Sequence, residues 1–401
     1  MTAKQRRPLE GIRVLELGTM VAGPVAGTLL ADFGAEVIKI EQPVSGDPIR
    51  HSGPFAEGES LYWVVEGRNK KSITLDLHLP KGQQILRDLV RHADVVIENF
   101  RPGTMVKWGV GYEQLRAVNE SLIMLSVSGY GQTGPYSERA AYDRVALAFS
   151  GFLNITGYGD RPPVRPGTAI ADYQSALMGA FAVVLALYAR SNKKQPGQHI
   201  DVALYESVLR FTDVMVTAYD KLGIERKRSG NYHFAASPGD HYQTNDGKYI
   251  ALTVAADSVF RKLAKCMSRP ELADDERFLT HSARARNYDQ INGIVADWIC
   301  SNPVEEICKA LTHGGVPHSL VYTVKDIIND PHYLARESIV AVDHPKLGPV
   351  KMPGVFPRMS SMPNPPIESA PALGAHTDEI LLGWLGMAQS EVDGLRAAEV
   401  I

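Results

Sequence analysis

Asp172 is the residue whose type and position in the sequence most clearly suggest covalent chemistry. It lies in the run Gly-Thr-Ala-Ile-Ala-Asp-Tyr-Gln-Ser at 167–175, directly before an apolar stretch that continues to Tyr188. Because this stretch is apolar nearly all round, we expect a buried helix with Asp172 at its entrance, in a cleft. A carboxylate in that position is either an N-cap, kept ionised by the helix dipole, or a nucleophile.

A parallel β-sheet is the element that has to position this carboxylate. Residues 12–17 and 37–40 have the β-rich pattern of strands and residues 25–33 that of a helix, so the chain opens with a strand-helix-strand unit. Glu41 stands where dinucleotide-binding folds carry the acid that binds the ribose. The turn at 18–23 lacks the Gly-x-Gly-x-x-Gly spacing, however, and NAD or FAD binding is therefore disfavoured.

Two later strands lead into polar, glycine-containing segments. The predicted strand at 95–97 is followed by Glu-Asn-Phe-Arg-Pro-Gly, and the strand at 122–127 by Ser-Gly-Tyr-Gly-Gln-Thr-Gly-Pro. The carboxyl ends of parallel strands lie at one edge of a sheet, where α/β proteins bind their ligands. We therefore expect these loops to converge on one crevice.

The composition excludes several classes of partner. The 401 residues are 44% hydrophobic and 22% charged, which is ordinary for a globular protein of more than one domain. The net charge of −3 offers no cationic excess for nucleic acid, and the three cysteines lack the spacing of a metal site or a disulfide framework. The apolar run at 175–188 is too short to cross a membrane, and residues 1–8 lead into no signal-type core. We expect a cytoplasmic protein with no metal and no membrane partner.

The sequence pattern divides the chain into two domains. Residues 1–220 and 340–401 are assigned to a large domain, and residues 225–335 to a small α/β domain that begins after a loop-like stretch. The proline-rich segment 345–366 is predicted to be extended, returning across a surface or a partner subunit.

Taken together, the motifs resemble the family III CoA-transferases, the formyl-CoA and carnitine CoA-transferase family, over essentially the whole chain. The motifs are LEGIRVLE at 9–16, AGP at 22–24, LADFGAEVIKIE at 30–41, NKKSITLD at 69–76, ENFRPG at 98–103, SGYGQTGP at 128–135, Ala171-Asp172, GQHIDVA at 197–203 and LGAHTD at 373–378. The resemblance implies that Asp172 is the catalytic nucleophile. It also implies a Rossmann-like large domain made of both chain ends, a smaller α/β domain, and ring-shaped monomers interlocked as a homodimer.

A carboxylate also suits the chemistry of this family. An ionised aspartate that attacks an acyl-CoA thioester forms a mixed anhydride, and the released CoA thiolate converts it into an aspartyl-CoA thioester. The acceptor acid then leaves as its CoA ester by the reverse steps, so no tightly bound cofactor is needed. A serine nucleophile would require an activating base, and the sequence contains no Gly-x-Ser-x-Gly elbow.

The resemblance also implies positions that bind CoA. They are Met20, Val21, Leu75, His78, Asn99, Phe100, Lys107 and Leu204. His78 and Ala140 stand where formyl-CoA transferases have lysine, so contacts with the CoA phosphates are expected to be redistributed. Lys70, Lys71 and Arg101 are local candidates, although each is equally well explained as an exposed, solvated charge.

The substrate is expected to be a small dicarboxylic acid. Residues 234–240 depart from the glycine-rich loop of formyl-CoA transferases, which argues against oxalate or formate. Basic candidates for binding a second carboxylate are Arg144, Arg165, His233 and His241. We therefore expect acids of the succinate, malate, citramalate or mesaconate type, with succinyl-CoA as donor. An aryl or carnitine-like acceptor is the competing interpretation.

Two other functions fit the same resemblance less well. The α-methylacyl-CoA racemases need an acid/base pair and carry Gly-His-Asp where this chain has Ala141-Tyr142-Asp143, which leaves the role of Asp143 open. A non-catalytic acyl-CoA-binding protein is disfavoured by the retained Asp172. Isotope exchange at the α-carbon in heavy water would separate a racemase from the others.

Overall fold

The structure, a computed structural model, describes residues 7–233, 235–362 and 366–401. The strands are β1 Arg13–Glu16, β2 Glu36–Glu41, β3 Phe55–Ala56, β4 Glu59–Ser60, β5 Lys70–Thr74, β6 Val95–Glu98, β7 Ile123–Ser128, β8 His199–Ala203, β9 Gly239–Gln243, β10 Tyr249–Thr253, β11 His318–Leu320, β12 Ile339–His344 and β13 Gly348–Pro353. The helices are α1 Ala22–Asp32, α2 Leu61–Glu66, α3 Pro80–Val90, α4 Thr104–Lys107, α5 Tyr112–Arg116, α6 Asp143–Phe149, α7 Ile170–Lys193, α8 Leu204–Leu209, α9 Met215–Leu222, α10 Asp257–Cys266, α11 His281–Arg286, α12 Tyr288–Cys300, α13 Val304–Gly314, α14 Val324–Asn329, α15 Pro331–Ala335, α16 Thr377–Leu385 and α17 Gln389–Ala397.

The chain forms two compact units. The larger comprises the chain through Leu153 together with Arg165–Lys221 and Glu337–Ile401, and the smaller comprises Asn154–Val164 and Leu222–Arg336. Residues 154–164, which lie inside the large domain predicted from the sequence, thus group with the smaller unit.

A six-stranded sheet forms the centre of the larger unit. Its strands are all parallel, in the order β5-β2-β1-β6-β7-β8. The pairing of β1 with β2 across α1 confirms the predicted strand-helix-strand opening. The central strands are nearly continuous runs of buried apolar residues, as expected for a parallel sheet whose two faces are both covered by helices.

The two faces of this sheet carry separate apolar layers. On one face Val14, Val37 and Leu125 pack with buried residues of α1, α7 and α8. On the other face Leu15 and Ile38 pack with buried residues of α3, α16 and α17. The unit is therefore an α/β structure with a helix layer on each side of a parallel sheet.

Helix α7 is longer than its apolar core suggests. It spans 24 residues, so the apolar run 175–188, which was predicted to be too short to cross a membrane, is only part of a longer helix. Its length and composition alone would suit a membrane span, but Ala176, Val183 and Leu187 are buried in the layer that covers the sheet. It is a core helix on that face, while its other side is exposed.

The smaller unit is built around a three-stranded antiparallel sheet in the order β11-β10-β9. Ile250 of β10 packs in a buried apolar cluster with Phe260 of α10, Phe278 and Val295 of α12. Arg284 is also fully buried, and its guanidinium donates to the carbonyl oxygens of Ser237 and Phe278. The helices and the sheet of this unit therefore share one core.

Several local predictions need correction. The sequence pattern predicts a strand over residues 73–77 and a loop-like stretch at 221–247. The strand instead spans Lys70–Thr74, and the stretch contains β9. The segment 345–366 is not simply extended, since β13 folds back on β12 as a hairpin. Residues 1–6, Phe234 of the departing loop and residues 363–365 of the proline-rich segment lie outside the described residues.

Candidate active site

Asp172 lies in the first turn of α7 and does not cap it. The helix begins at Ile170 after Ala169, and Ala169 provides no side-chain cap. The expectation of an N-cap at Asp172 is therefore wrong. The backbone N–H of Ala171 instead donates to Oδ1 of Asp143, the first residue of α6, at 2.8 Å. The carboxylate of Asp172 is left available for other contacts.

The electrostatic surroundings of Asp172 disfavour its charged form. Burial, and after it the negative charge of Asp143, raises the pKa of Asp172 from its ordinary 3.8 to about 7. The sequence argument that the helix dipole would favour ionisation is thus outweighed. Near neutral pH this carboxylate is ionised in a substantial fraction of molecules and is more basic than an ordinary aspartate.

Asp172 opens into a cavity of about 460 Å³ in the larger unit. Five of the predicted CoA-binding residues line the same cavity, namely Met20, Val21, Asn99, Phe100 and Leu204. They come from the ends of different strands and from the loop before α1, which is the convergence expected at the carboxyl edge of a parallel sheet. Within the described residues, Asp172 is the only carboxylate in the lining.

A second cavity of about 470 Å³ adjoins the first. Leu75 and His78 line it, and Thr19, Pro48, Phe100 and Arg101 line both cavities. His78 is exposed, but Nδ1 of its ring lies 2.9 Å from Oδ1 of Asp76, and the ring packs edge-on against Trp108. Of the predicted CoA-binding residues, Lys107 alone lines neither cavity; it is exposed at the end of α4.

Asn99 holds the loop that carries Met20. Its Oδ1 accepts from the backbone N–H of Thr19 at 2.7 Å, and its Nδ2 donates to the carbonyl oxygen of Thr19 at 2.9 Å. The next residue, Met20, has a φ of 63°, in the left-handed region that side chains other than glycine rarely adopt. The amide of Asn99 thus fixes a strained turn at the cavity wall.

A buried group of charges supports the same turn from below. Lys39 is fully buried, donates to the carbonyl oxygen of Gly18 and lies 2.6 Å from Oδ2 of Asp47. Oδ1 of Asp47 in turn accepts from the backbone N–H of Met20 at 3.0 Å. Although burial opposes ionisation of both groups, their mutual attraction lowers the pKa of Asp47 and, with Glu16, raises that of Lys39. Both are therefore charged, and they hold the backbone of the turn.

The lysines suggested as local phosphate contacts are engaged elsewhere. Lys70 is buried on β5, where its Nζ lies 2.8 Å from Glu16, and burial lowers its pKa. Lys71 pairs with Glu36 and Glu379. Arg101 is exposed on both cavities and forms no ion pair within the described part of the chain, so it is the candidate that stays open.

Arg139 is a cavity residue that the sequence argument missed. It lines the Asp172 cavity beside Ala140, which stands at a lysine position of the formyl-CoA transferases, and its guanidinium lies 3.6 Å from the ring centroid of Tyr136. Its position directly before Ala140 could have identified it from the sequence as a candidate cation. Tyr142 also lines the cavity, although 78% of it is exposed.

The four residues predicted to bind a second carboxylate are not gathered around Asp172 within the larger unit. Arg144 and Arg165 are exposed there and do not line its cavity. His233 and His241 are exposed residues of the smaller unit, where the ring of His233 accepts from the N–H of Ala235 and His241 lies on β9. Their substrate-binding role stays a prediction.

Glu41, the position that mimicked a ribose-binding acid, has another function. Its two oxygens accept from Nε and Nη2 of Arg50, each at 2.7 Å, and one also accepts from the hydroxyl of Ser72. Burial opposes ionisation, but these contacts lower the pKa of Glu41. The carboxylate is thus a structural partner of Arg50.

Comparisons with known proteins agree with this geometry. The family model CoA-transferase family III matches residues 9–377. The chain is 44% identical over 396 residues to a succinyl-CoA–D-citramalate CoA-transferase of Chloroflexus aurantiacus, with 98% of each chain covered. It is 42% identical to the β subunit of a succinyl-CoA–L-malate CoA-transferase of the same organism, again with 98% of each covered.

A solved structure has the same fold. The chain is similar to a CAIB/BAIF family protein from Brucella suis with a TM-score of 0.84 and 36% identity, covering 95% of this chain and 100% of the other. The match extends over both units of the chain, and the family model includes the segment that carries Asp172. The chain therefore belongs to CoA-transferase family III and is a CoA-transferase.

Proposed function

We propose that this enzyme moves CoA from succinyl-CoA to a small dicarboxylic acid, with Asp172 as the covalent nucleophile. The observation that carries the proposal is the position of Asp172, half-buried in a cavity that it shares with five of the predicted CoA-binding residues. The names of the two relatives from Chloroflexus aurantiacus support the choice of substrates, since both use succinyl-CoA with a dicarboxylic acid.

The contacts of Asp172 suit a nucleophile, although Arg101 and Arg139 line the same cavity. It forms no ion pair among the residues that the structure describes, so its oxygens are not committed to a salt bridge. The raised pKa also makes the ionised form more basic, and basicity favours attack on a carbonyl carbon. A structural aspartate would be expected to have a partner at this depth.

The proposed reaction proceeds by two exchanges and their reversal. An oxygen of ionised Asp172 attacks the thioester carbonyl, the C–S bond breaks, and CoA leaves as a thiolate. The thiolate attacks the aspartyl carbonyl of the mixed anhydride, which releases succinate and leaves an aspartyl-CoA thioester. The acceptor carboxylate then attacks that thioester, and the returning thiolate attacks the acceptor's carbonyl, so the acceptor leaves as its CoA ester and Asp172 is regenerated.

We further propose that the larger unit is a Rossmann-like CoA-binding domain. The CoA moiety would extend from the Asp172 cavity into the adjoining cavity lined by Leu75 and His78, since Phe100 and Arg101 lie on both. Arg101, which lines both cavities, is a cation available for a phosphate group in this arrangement. A cytoplasmic location agrees with three cysteines that are all unpaired.

The donor preference tests the substrate proposal. Succinyl-CoA should exceed butyryl-CoA in kcat/KM by roughly ten- to a hundredfold, because a charge-assisted contact with the second carboxylate contributes about 1.5–3 kcal/mol. Steady-state rates with the two donors, each against citramalate, malate, glutarate and an aromatic acid, measure the preference. Equal efficiency of the two donors would contradict a second-carboxylate pocket.

Single variants then locate that pocket. Arg139→Met, Arg144→Met and Arg165→Met are compared with the two donors. The arginine that holds the second carboxylate loses the preference for succinyl-CoA while its activity with butyryl-CoA stays the same. A solvated arginine changes neither rate.

We also propose an interlocked homodimer, on the basis of apolar side chains that the described structure leaves uncovered. The outer side of α7 exposes Leu177, Phe181 and Tyr188 by 55%, 55% and 59%, and α9 exposes Val216 and Tyr219 by 60% and 64%. Large apolar side chains exposed to this extent are typical of an interface between subunits.

The dimer proposal predicts that dissociation of the subunits and unfolding of the chain occur together. If the monomer is not stable alone, dissociation coincides with unfolding, so Tm rises with protein concentration. Sedimentation velocity and thermal melts over a wide concentration range measure both. Phe181→Glu should weaken the dimer, whereas Val324→Glu, at a valine that is 71% exposed on α14, should not. A folded, active wild-type monomer at low concentration would refute the prediction.

A further inference from the structure

Asp143 is a buried carboxylate to which the proposed reaction assigns no role. It is 8% exposed, it begins α6, and it forms no ion pair in the part of the chain that the structure describes. The preceding residue, Tyr142, lines the Asp172 cavity. A buried acid without a cation is costly, so its position at the edge of the site calls for a reason.

Part of that reason is the first turn of α7. Ala169, at the N-cap position, has no side-chain acceptor, and Asp143 supplies one from the neighbouring helix by accepting from the N–H of Ala171 at 2.8 Å. Ala171 directly precedes Asp172. The contact therefore fixes the turn that aims the nucleophile into the cavity.

The charge of Asp143 has a second effect, because few other charges reach Asp172. The elements packed against α7 carry five other charged or titratable groups, namely Asp32 on α1, Arg144 on α6, His199 and Asp201 on β8, and Glu206 on α8. Arg101 and Arg139 lie on the cavity wall. The hydroxyl of the neighbouring Tyr173 donates to Glu66. Asp32 is paired with Arg68, and Arg101, Arg139, Arg144, Asp201 and Glu206 are exposed. Asp143 is the group whose charge acts on Asp172, where it adds to the effect of burial.

We propose that Asp143 is a positioning residue that also destabilises the ionised nucleophile by like-charge repulsion, and that this repulsion is released each time Asp172 becomes acylated. The inference rests on the proposed role of Asp172 as nucleophile. In the free enzyme the buried carboxylate of Asp143 contacts the N–H of Ala171, the residue before Asp172, so a second negative charge lies near the ionised nucleophile. In the anhydride and in the aspartyl-CoA thioester, Asp172 is neutral and one negative charge has left with succinate or has moved to the CoA thiolate.

The consequence is a bias toward the covalent states. Attack forms the bond from the Asp172 oxygen to the acyl carbon, breaks the C–S bond and needs no proton, so the charge on Asp172 is the quantity that changes. Because repulsion exists only before acylation, it raises the energy of the free enzyme relative to both covalent intermediates. It also makes the attacking oxygen more basic.

Asp143→Asn separates the charge from the hydrogen bond. The asparagine Oδ1 can still accept from the N–H of Ala171, but the negative charge is absent. We expect the equilibrium constant for forming the aspartyl-CoA thioester to fall by about tenfold. At a fixed ratio of succinyl-CoA to succinate, a smaller fraction of the enzyme is then held as the thioester. The acid limb of kcat/KM should shift to lower pH by about one unit, which corresponds to the same factor.

These two effects make the variant recognisable. At pH 8 Asp143→Asn should be slower than the wild type, because its nucleophile is less basic. Below pH 6 the deficit should shrink or reverse, because more of Asp172 is ionised. A loss of structure alone would lower the rate at every pH without moving the limb.

The measurements are intact mass spectrometry of the enzyme with succinyl-CoA and a pH profile of kcat/KM. Glu206→Gln is the matched control, since it removes an exposed carboxylate from a helix that packs on α7 and should leave both readouts unchanged. If Asp143→Asn does not fold, Asp143→Ser, which can cap a helix without charge, is measured in the same way.

The outcomes distinguish this inference from the proposal on which it rests. A wild-type enzyme that forms no adduct at Asp172 removes the nucleophile itself. If the wild type forms the adduct and an uncharged variant at residue 143 keeps both the adduct fraction and the acid limb of the wild type, the role of Asp143 is overturned. The nucleophile then stays in place.

Discussion

Replacement of Asp172 by alanine or asparagine is expected to abolish CoA transfer, lowering kcat/KM by at least ~10⁴-fold while the protein stays folded. Asp172 is the only carboxylate that lines its cavity among the described residues, so no neighbouring group can take over the attack. Asparagine preserves the shape of the side chain but is a poor nucleophile. The two variants therefore separate the loss of chemistry from the loss of volume.

Chemical trapping identifies the covalent state directly. Wild-type enzyme incubated with succinyl-CoA should yield a hydroxamate at Asp172 with hydroxylamine, or the corresponding alcohol after borohydride reduction, and peptide mass spectrometry locates either product. Glu206→Gln, which removes a carboxylate outside the cavity lining, should be trapped as the wild type is. Normal turnover by Asp172→Ala would disprove the mechanism.

The same residue should also destabilise the folded protein at alkaline pH. The pKa of Asp172 is about 7 in the folded chain and has its ordinary value of 3.8 when unfolded. The folded state therefore binds more protons between these pH values, and stability is lost as pH rises through that window. Asp172→Asn removes the ionisation and should stabilise the protein by about 2–4 kcal/mol at pH 8, since one unit of pKa corresponds to about 1.4 kcal/mol.

The pH dependence distinguishes this effect from a general change in packing. At pH 5 the gain should be less than half of that at pH 8, and near pH 4 it should be only a small fraction of it. Urea unfolding of the wild type and Asp172→Asn at these three pH values measures it, with Asp297→Asn at an exposed position of α12 as the control. A gain that is equal at all three, or absent at pH 8, contradicts the raised pKa.

Stability and activity are thus expected to change in opposite directions at one residue. A half-buried carboxylate that forms no ion pair in the described part of the chain costs free energy that the fold must supply from elsewhere, and a role in the reaction would explain why it is present. This combination is typical of a catalytic group and unusual for a structural one.

The sequence pattern predicted the parts of the fold that depend on local periodicity. The strand-helix-strand opening around Pro24 and the apolar helix at Asp172 both follow from the spacing of apolar residues. From the sequence, Lys70 was equally well explained as an exposed, solvated charge, but the structure buries it on β5. Its partner Glu16 on β1 is distant in sequence and could not be inferred from spacing.

The site was predicted unevenly for a similar physical reason. Resemblance to a family pointed to Asn99, Phe100 and Leu204, which the fold brings to one cavity with Asp172. The contact of Asp143 with Ala171 connects two helices and depends on their packing, so no pattern along the chain signals it. The support of the Met20 turn by Lys39 is likewise a property of the folded core.

The division of the larger unit into separate chain segments has a consequence for its synthesis. Helices α16 and α17 supply Ile380, Leu381 and Val392 to the layer that covers Leu15 and Ile38 on the sheet. The ribosome delivers these helices only after all of the smaller unit has been made. Until then α3 covers only part of this face, and the nascent chain holds a sheet with exposed apolar surface of the kind that chaperones bind and that aggregates when they are scarce. Premature termination before residue 377 would therefore leave a product that carries Asp172 but keeps part of this face exposed.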